Sequence, residues 1–537
     1  MNTPYKFVST SSRPSLAPDF FAGRRKEFMK RLPVGSVAII VTNPERTRSN
    51  DTEFAYRPSS DMLYLSNFPE PEAVLVFVKQ KGASRFLMFV RPKDRTREIW
   101  TGVRFGPEGA KSKFGADEAY TIDEFDKVVR PLIADADRVY HRFDRNEHFD
   151  QQFRALWGKT QKPLANPEEI VHEMRLFKSA GEVKLMRHAG AISAAAHVEA
   201  MRLTRPGMME YQVQASLEAI FRFNGASYPA YTSIVGGGSN ATCLHYIENN
   251  SELKDGDLLL IDAACEFDGF ASDITRTFPV NGKFSPAQRE IYEIVLAAEK
   301  AGIAMAKPGV TLSDIHETAS NTLRAGLVKL GILPKTHLTA AGEKKVMDAW
   351  KKKNAAQPQT GTKATTAKGT KVTKDAAKAA PLTLFDFFMH GTSHWIGLDV
   401  HDVGTYGTRS QVGKKRPLEV GMAFTVEPGI YVMVDEMRVP AKYRGIGIRI
   451  EDDVVITAKG CEVLTAGVAK EVDEVEAIMA EGRAHNLNVE ALFAQQAPQA
   501  LKAGAGKKAA PHMKASRQKA PRQKAPVQRT RAKASKA

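Results

Sequence analysis

Cysteine is scarce in this 537-residue chain: three in all, Cys243, Cys265 and Cys461, with no paired spacing. That argues against a disulfide framework and fits a reducing compartment. Cys265 sits in an apolar stretch and reads as a small buried residue. Long hydrophobic runs are lacking as well. The stretches Val37-Ala-Ile-Ile-Val41 and Leu258-Leu-Leu-Ile261 fall far short of the ~20 residues that a membrane helix needs. The segment Met1 to Ser12 lacks the apolar core of a signal peptide. The expectation is a cytoplasmic protein without membrane insertion.

Acids are missing from one region altogether. Between Lys502 and Ala537 there are 12 Lys/Arg and no Asp or Glu, and between Lys344 and Lys378 there are 10 Lys against 2 Asp. These two appendages hold more than the whole net charge of +16, so the rest of the chain carries −4. The insertion at about 340–381, above all its Ala, Lys, Thr and Gln-rich part from Asn354, has too few large apolar residues to bury a core. It is expected to be disordered, as is the chain from about 497. Such a basic tail attracts polyanions non-specifically through counterion release; a solvated tail with no dedicated partner is the alternative.

The length allows two or three domains, each with a core. Residues 1–172 read as a smaller α/β domain. A helix near Phe20–Arg31 precedes strand-length stretches at Ser36–Thr42, Met62–Leu65, Ala73–Lys79 and Arg85–Val90, punctuated by Asn-Pro, Pro-Glu-Pro and Lys-Gly. No nucleophile motif or ligand cluster falls here, which leaves a pocket wall, an oligomer contact or a purely structural role. Residues 173–480 repeat a pattern. Ser179 with Glu182 caps a helix that stops at Arg205-Pro-Gly207, and a second helix runs about Glu210 to Phe223. Ser285-Pro286 with Gln288 caps a helix that stops at Lys307-Pro-Gly309, and another runs about Leu312 to Leu330. Acid-bearing strands follow each pair, so the fold class is an α+β duplication with helices outside and sheet within. Residues 481–537 form a C-terminal extension.

The acids sit at echoing positions. Asp262 and Glu427 each lie six residues after a glycine (Gly256, Gly421), and Asp273 and Glu451 each lie four residues after one (Gly269, Gly447). Asp268-Gly269 is a two-residue hairpin signal. A turn centred there sets Asp262 opposite Thr275 and Ala264 opposite Asp273, so both acids project from one face as diagonal neighbours, roughly 7 Å apart. Two such carboxylates repel and pay desolvation unless a cation lies between them; the alternative, an exposed acidic face, fits poorly with flanks such as Leu-Leu-Leu-Ile. In Gly447-Ile-Arg-Ile-Glu451, alternation places Arg449 beside Glu451, where it would hold a ligand carboxylate. In the segment His390-Gly-Thr-Ser-His394 to His401-Asp402, three of thirteen histidines fall within twelve positions. It is not the His-Glu-x-x-His zinc helix. One imidazole with four carboxylates is an oxygen-rich set that suits two divalent ions, manganese before zinc. Gly504-Ala-Gly-Lys-Lys lacks the strand and hydroxyl of a phosphate loop, and Gly236-Gly-Gly238 reads as a turn. His245 alone reads as a core histidine.

Asp262-Ala-Ala-Cys-Glu, Ser272-Asp273-Ile-Thr-Arg-Thr-Phe278, His390-Gly-Thr-Ser-His394-Trp, Val426-Glu427-Pro-Gly and Gly447-Ile-Arg-Ile-Glu451 together resemble the pita-bread metallopeptidases, in their aminopeptidase P branch. The likeness spans about 15–480 and includes Glu98-Ile-Trp100-x-Gly; the Lys-rich insertion and basic tail depart from it. The resemblance implies release of the N-terminal residue from peptides with proline second, by attack of a metal-bridging hydroxide on the Xaa-Pro amide. It implies Asp262 on one metal, His394 and Glu427 on the other, and Asp273 and Glu451 bridging. It further implies Glu427 receiving the water's proton, His401 meeting the carbonyl oxygen, His245 and His390 lining the pocket, and a homo-oligomer. Prolidase shares the ligand set and is the nearest alternative. Methionine aminopeptidase fits the N-terminal domain and the His-Trp segment less well, and a binding protein that has lost catalysis fits poorly with five intact ligand positions.

Overall fold

Where β-branched and aromatic residues run together near the N-terminus, strands form. Ser36–Val41, buried along its length, pairs antiparallel with Val74–Gln80, which pairs antiparallel with Ala83–Val90. Glu118–Thr121 on one side and Arg138–Tyr140 then Leu164–Ala165 on the other add parallel strands, completing a six-stranded mixed sheet. One face packs on Phe125, Val129, Ile133, Phe149 and Phe153. The other shares a continuous core with the following domain, from Phe28 and Met62 through to Leu185 and Ile261. This computed structural model describes residues 13–354, 380–407 and 414–484. Among them, no helix is long and apolar enough to cross a membrane.

One expected strand is a helix. Met62–Leu65 lies inside the helix Ser60–Ser66, because Ser59 caps its start by accepting from the Met62 amide and Asn67, in the left-handed region, closes its end. Four apolar residues carry no period of their own, so the caps decide. The boundary expected at 172 falls within the helix Glu168–Leu176, making the passage between the two parts helical.

The duplicated part follows the capping signals. Ser179 with Glu182 opens the helix Ala180–Leu203, and Ser285 with Gln288 opens Pro286–Met305, each through a reciprocal capping box. Glu210–Phe223 and Leu312–Lys329 are the second helix of each half. In the first half, Leu258–Asp262 pairs antiparallel with Thr275–Pro279, setting Asp262 opposite Thr275. The same register runs on to the turn, where Phe267 faces Phe270. Asp268 and Gly269 both take positive φ (52° and 85°), the backbone that a tight two-residue hairpin requires. In the second half, Ala423–Val426 pairs with Asp452–Thr457 and Gly429–Tyr431 with Gly447–Arg449 in one continuous register, which sets Glu427 opposite Glu451. The halves are stitched where Thr275 bridges Glu451.

The insertion expected to be disordered at about 340–381 begins as a helix, Ala340–Asn354. Val346, Met347 and Trp350 are half-buried, and Glu343 accepts from the Leu384 amide at 3.0 Å and pairs with Arg324 at 3.6 Å, so this stretch has an apolar face and an anchor. The remainder of that expectation (355–379) and the basic tail from about 497 lie outside the described residues.

Candidate metal centre

Three of the four acids reach the centre from strand ends that backbone pairing fixes, and Asp273 stands in the link just before Thr275–Pro279. Asp262 closes Leu258–Asp262, Glu427 follows Ala423–Val426, and Glu451 links Gly447–Arg449 to Asp452–Thr457. His394 comes from the segment before the second hairpin and is held against it as an added strand: the Thr425 amide donates to His394 O at 3.0 Å, and the His394 amide donates to Thr425 Oγ1 at 3.2 Å. The imidazole Nδ1 lies 3.1 Å from Trp395 O. A proton there makes Nδ1 the donor and leaves Nε2 as the ring atom that faces the carboxylates. Nε2 is 3.4 Å from Asp273 Oδ2 and 3.7 Å from Glu427 Oε1. Donor atoms of Asp273, His394 and Glu451 all lie within 4.8 Å of one another.

All five predicted ligands line one cavity of about 600 Å³, together with Arg449, His245, His390 and His401. The acids are nearly out of solvent: Asp262 is 9 % exposed, Asp273 5 % and Glu451 2 %. Burial, with neighbouring carboxylates adding to it, raises Asp273 above its ordinary range, Glu451 well above, and Glu427 to about 7. Burial alone would lower the His394 imidazole, but the Asp273 hydrogen bond and the charges of Asp273 and Glu427 raise it to about 9.

Arg449 ties the set together. Its guanidinium donates to Asp262 Oδ2 at 2.6 Å, to Thr275 Oγ1 at 3.1 Å and to Tyr431 Oη at 2.9 Å. Tyr431 Oη lies 2.9 Å from His390 Nε2, extending the chain to a histidine that burial and then the Arg449 charge lower to about 4. His390 Nδ1 stands 3.6 Å from Glu427. His401 packs edge-on against His394 with ring centroids 4.4 Å apart, and burial with the His394 charge lowers its pKa. His245 is exposed to the cavity beyond it.

The donor set fits a dinuclear cation site. Four carboxylates face two cationic groups, Arg449 and the His394 imidazolium, and the raised Glu427 and Glu451 register the negative charge left over in a site poor in water. Tyr231, which no spacing in the sequence singles out, makes the deficit concrete. Its hydroxyl lies 2.6 Å from Asp262 Oδ1 and 2.5 Å from Asp273 Oδ1, yet carries one proton for two acceptors. Asp453 is a second residue missed, although it stands two positions after Glu451 on the same strand face. Its Oδ2 accepts from the Asp273 amide at 2.9 Å, fixing the backbone of the acid at the middle of the cluster. Thr275, marked in the sequence only as the residue opposite Asp262, also takes part; its hydroxyl donates to Glu451 Oε2 at 2.7 Å.

Comparison with known proteins agrees with this geometry. Residues 184–458 match the sequence model of metallopeptidase family M24, and residues 21–140 that of the aminopeptidase P N-terminal domain. The chain is 42 % identical over 474 residues to the Xaa-Pro aminopeptidase of Escherichia coli strain K12, covering 86 % of this chain and 98 % of that protein. Among solved structures it is similar to Pseudomonas aeruginosa aminopeptidase PepP, at 42 % identity and a TM-score of 0.77 over 87 % of this chain and 99 % of that one. It is likewise similar to a Zn-substituted Escherichia coli aminopeptidase P in complex with product, at 41 % identity and a TM-score of 0.76, with 87 % and 99 % covered.

Proposed function

The chain belongs to metallopeptidase family M24, and on that premise we propose that it is an aminopeptidase that releases the first residue from peptides with proline second. The observation that carries this reading is the meeting of Asp262, Asp273, His394, Glu427 and Glu451 in one cavity, with Arg449 holding Asp262. Two divalent cations, Mn²⁺ before others given four oxygen donors and one imidazole, would supply an activated water at neutral pH and polarise the scissile carbonyl.

The chain's own residues divide the remaining work. Asp273 lies between Asp262, which it meets through Tyr231, and His394, so with Glu451 it would be shared by the two cations. Asp262 would hold one of them, and His394 and Glu427 the other. Glu427, whose carboxyl burial raises to about 7, would receive the water's proton. His401 donates to the carbonyl oxygen as negative charge develops there, a contact that is worth most in a site closed to water. His245 and His390 line the approach. An Xaa-Pro bond has no N–H to offer, so a pocket shaped for the ring, with no acceptor awaiting a donor, selects it.

Residues 1–172 are assigned as the aminopeptidase P-like domain, 173–480 as the catalytic domain and 481–537 as the extension. A homo-oligomer is supported by Ile99, Trp100 and Val103, large apolar side chains 76 %, 85 % and 86 % exposed and close together in the sequence of the N-terminal domain. Three free cysteines support a cytoplasmic setting. The basic tail is assigned a salt-dependent, non-specific affinity for polyanions. The test of the activity is hydrolysis of an Xaa-Pro-Pro tripeptide beside an Xaa-Pro dipeptide. Cleavage of the tripeptide after its first residue is expected; activity confined to the dipeptide would make the chain a prolidase.

A further inference from the structure

His401 lines two cavities at once: the catalytic one and a neighbour of about 410 Å³ between the N-terminal domain and the catalytic domain. Its side chain is exposed, and among the described residues no hydrogen bond holds its ring; the edge-on contact with His394 is its one ring partner. Beyond that contact, such an imidazole is aimed by its backbone.

That backbone is clamped at the next residue. Asp402 is buried, and its two oxygens are divided between two cations: Oδ1 accepts from Arg175 at 2.5 Å and Oδ2 from Lys178 Nζ at 3.1 Å. Its amide donates to Trp395 O at 2.8 Å, closing the loop on itself next to His394. Glycine is required at 397 for the clamp to form, since a Cβ there would stand 2.2 Å from Asp402 Oδ2. Arg175 does more than neutralise Asp402. The same guanidinium donates to Asp399 Oδ2 at 2.7 Å and to Asp61 Oδ1 at 2.8 Å, reaching from the interdomain helix to both sides of the second cavity. Within the N-terminal domain, Ser60 Oγ donates to Asp399 Oδ1 at 2.6 Å and Arg57 to Leu398 O at 2.6 Å. Loop 397–402 is therefore pinned at several points by residues of the preceding domain. Buried charges cost several kcal/mol each unless paired, so parting Asp402 from Arg175 and Lys178 is strongly unfavourable.

We propose that Asp402, locked by Arg175 and Lys178, is a positioning residue that fixes His401 over the metal centre. The proposal rests on His401 touching the substrate. An error of 1 Å in placing such a group costs as much as about a hundredfold in rate, whereas substrate binding made elsewhere is untouched. The loss should therefore fall on kcat rather than KM.

The test is a double-mutant cycle on Xaa-Pro-Pro hydrolysis by the full chain at saturating Mn²⁺, with bound metal measured alongside. Asp402→Asn is expected to lower kcat by about tenfold or more with KM and metal content unchanged, and to change the His401→Ala enzyme by less than about twofold. Lys178→Met, which leaves Arg175 in place, is expected to show a smaller loss of the same kind and serves if the first variant does not fold. A wild-type rate for His401→Ala would overturn the role of His401 and the proposal with it. If His401→Ala is slow, three results overturn the positioning role alone: full activity in both lock variants, an equal proportional loss in the His401→Ala background, or loss of bound metal.

Discussion

In the first half of the catalytic domain the converging acids are aspartates in diagonal positions, Asp262 opposite Thr275 and Asp273 two residues nearer the turn. In the second half they are glutamates, and the register sets Glu427 directly opposite Glu451. The first pair shares the hydroxyl of Tyr231, whereas the second is flanked by the imidazole of His394 and a buried arginine strand neighbour. Neither half is complete alone. Arg449 of the second half reaches Asp262 of the first, and Thr275 of the first half donates to Glu451 of the second. Duplication thus provides two pairs of carboxylates. The residues that are not duplicated, Tyr231, His394 and Arg449, make the two ends of the site chemically unequal, with one end all oxygen and the other carrying nitrogen.

The strongest way to break this comparison is at Asp273, the acid that meets both Asp262 through Tyr231 and His394. Asp273→Ala is expected to lower kcat/KM by more than about 10³-fold and to strip metal, while Asp262→Ala keeps more of its metal. Metal analysis with steady-state kinetics checks it; an Asp273→Ala protein as active as wild type would favour a non-catalytic role for the centre. Next comes the cross-half contact. Arg449→Lys keeps the charge but gives up the fork that joins Asp262, Thr275 and Tyr431, so kcat/KM should fall by roughly 10–100-fold. An unchanged value would mean that the halves need no such brace.

The smallest effect concerns the joint rather than the centre. Asp452 of the second half pairs with Arg276 of the first at 2.8 Å, and Lys470 joins at 2.6 Å. Burial would raise this carboxyl, but the two cations hold it at about 2, below its usual 3.8. A depressed folded-state pKa gives stability that is complete above the unfolded value near 4 and is lost as pH falls toward 2. The shift corresponds to something on the order of 2 kcal/mol. The melting temperature should fall through that window, and Asp452→Asn should lower it at pH 7 while flattening the fall; a parallel acid profile in the variant would remove Asp452 as the joint.

How much of this was legible depended on whether a signal is local. The Asp268-Gly269 turn fixes its own backbone, so the opposition of Asp262 and Thr275 followed from counting residues. Capping boxes at Ser179 and Ser285 are equally local. Met62–Leu65 was misread because four apolar residues suit strand or helix, and the deciding caps lie outside the run. The helix Ala340–Asn354 was hidden by lysines that colour its composition while Val346, Met347 and Trp350 supply an inner face. Tyr231 and the Arg175–Asp402 lock had no signal at all, since each joins segments far apart in the chain. Asp453 did have one, its place two residues beyond Glu451, and it went unused.

The central claim is a two-cation centre shared by both halves, and its most direct measurement is a titration of metal-stripped protein with Mn²⁺ while Xaa-Pro-Pro cleavage is followed. The stripped protein should be inactive, and activity should rise to a plateau as two ions bind per chain. Undiminished cleavage without metal, or a fully loaded protein that leaves the peptide intact, would contradict it.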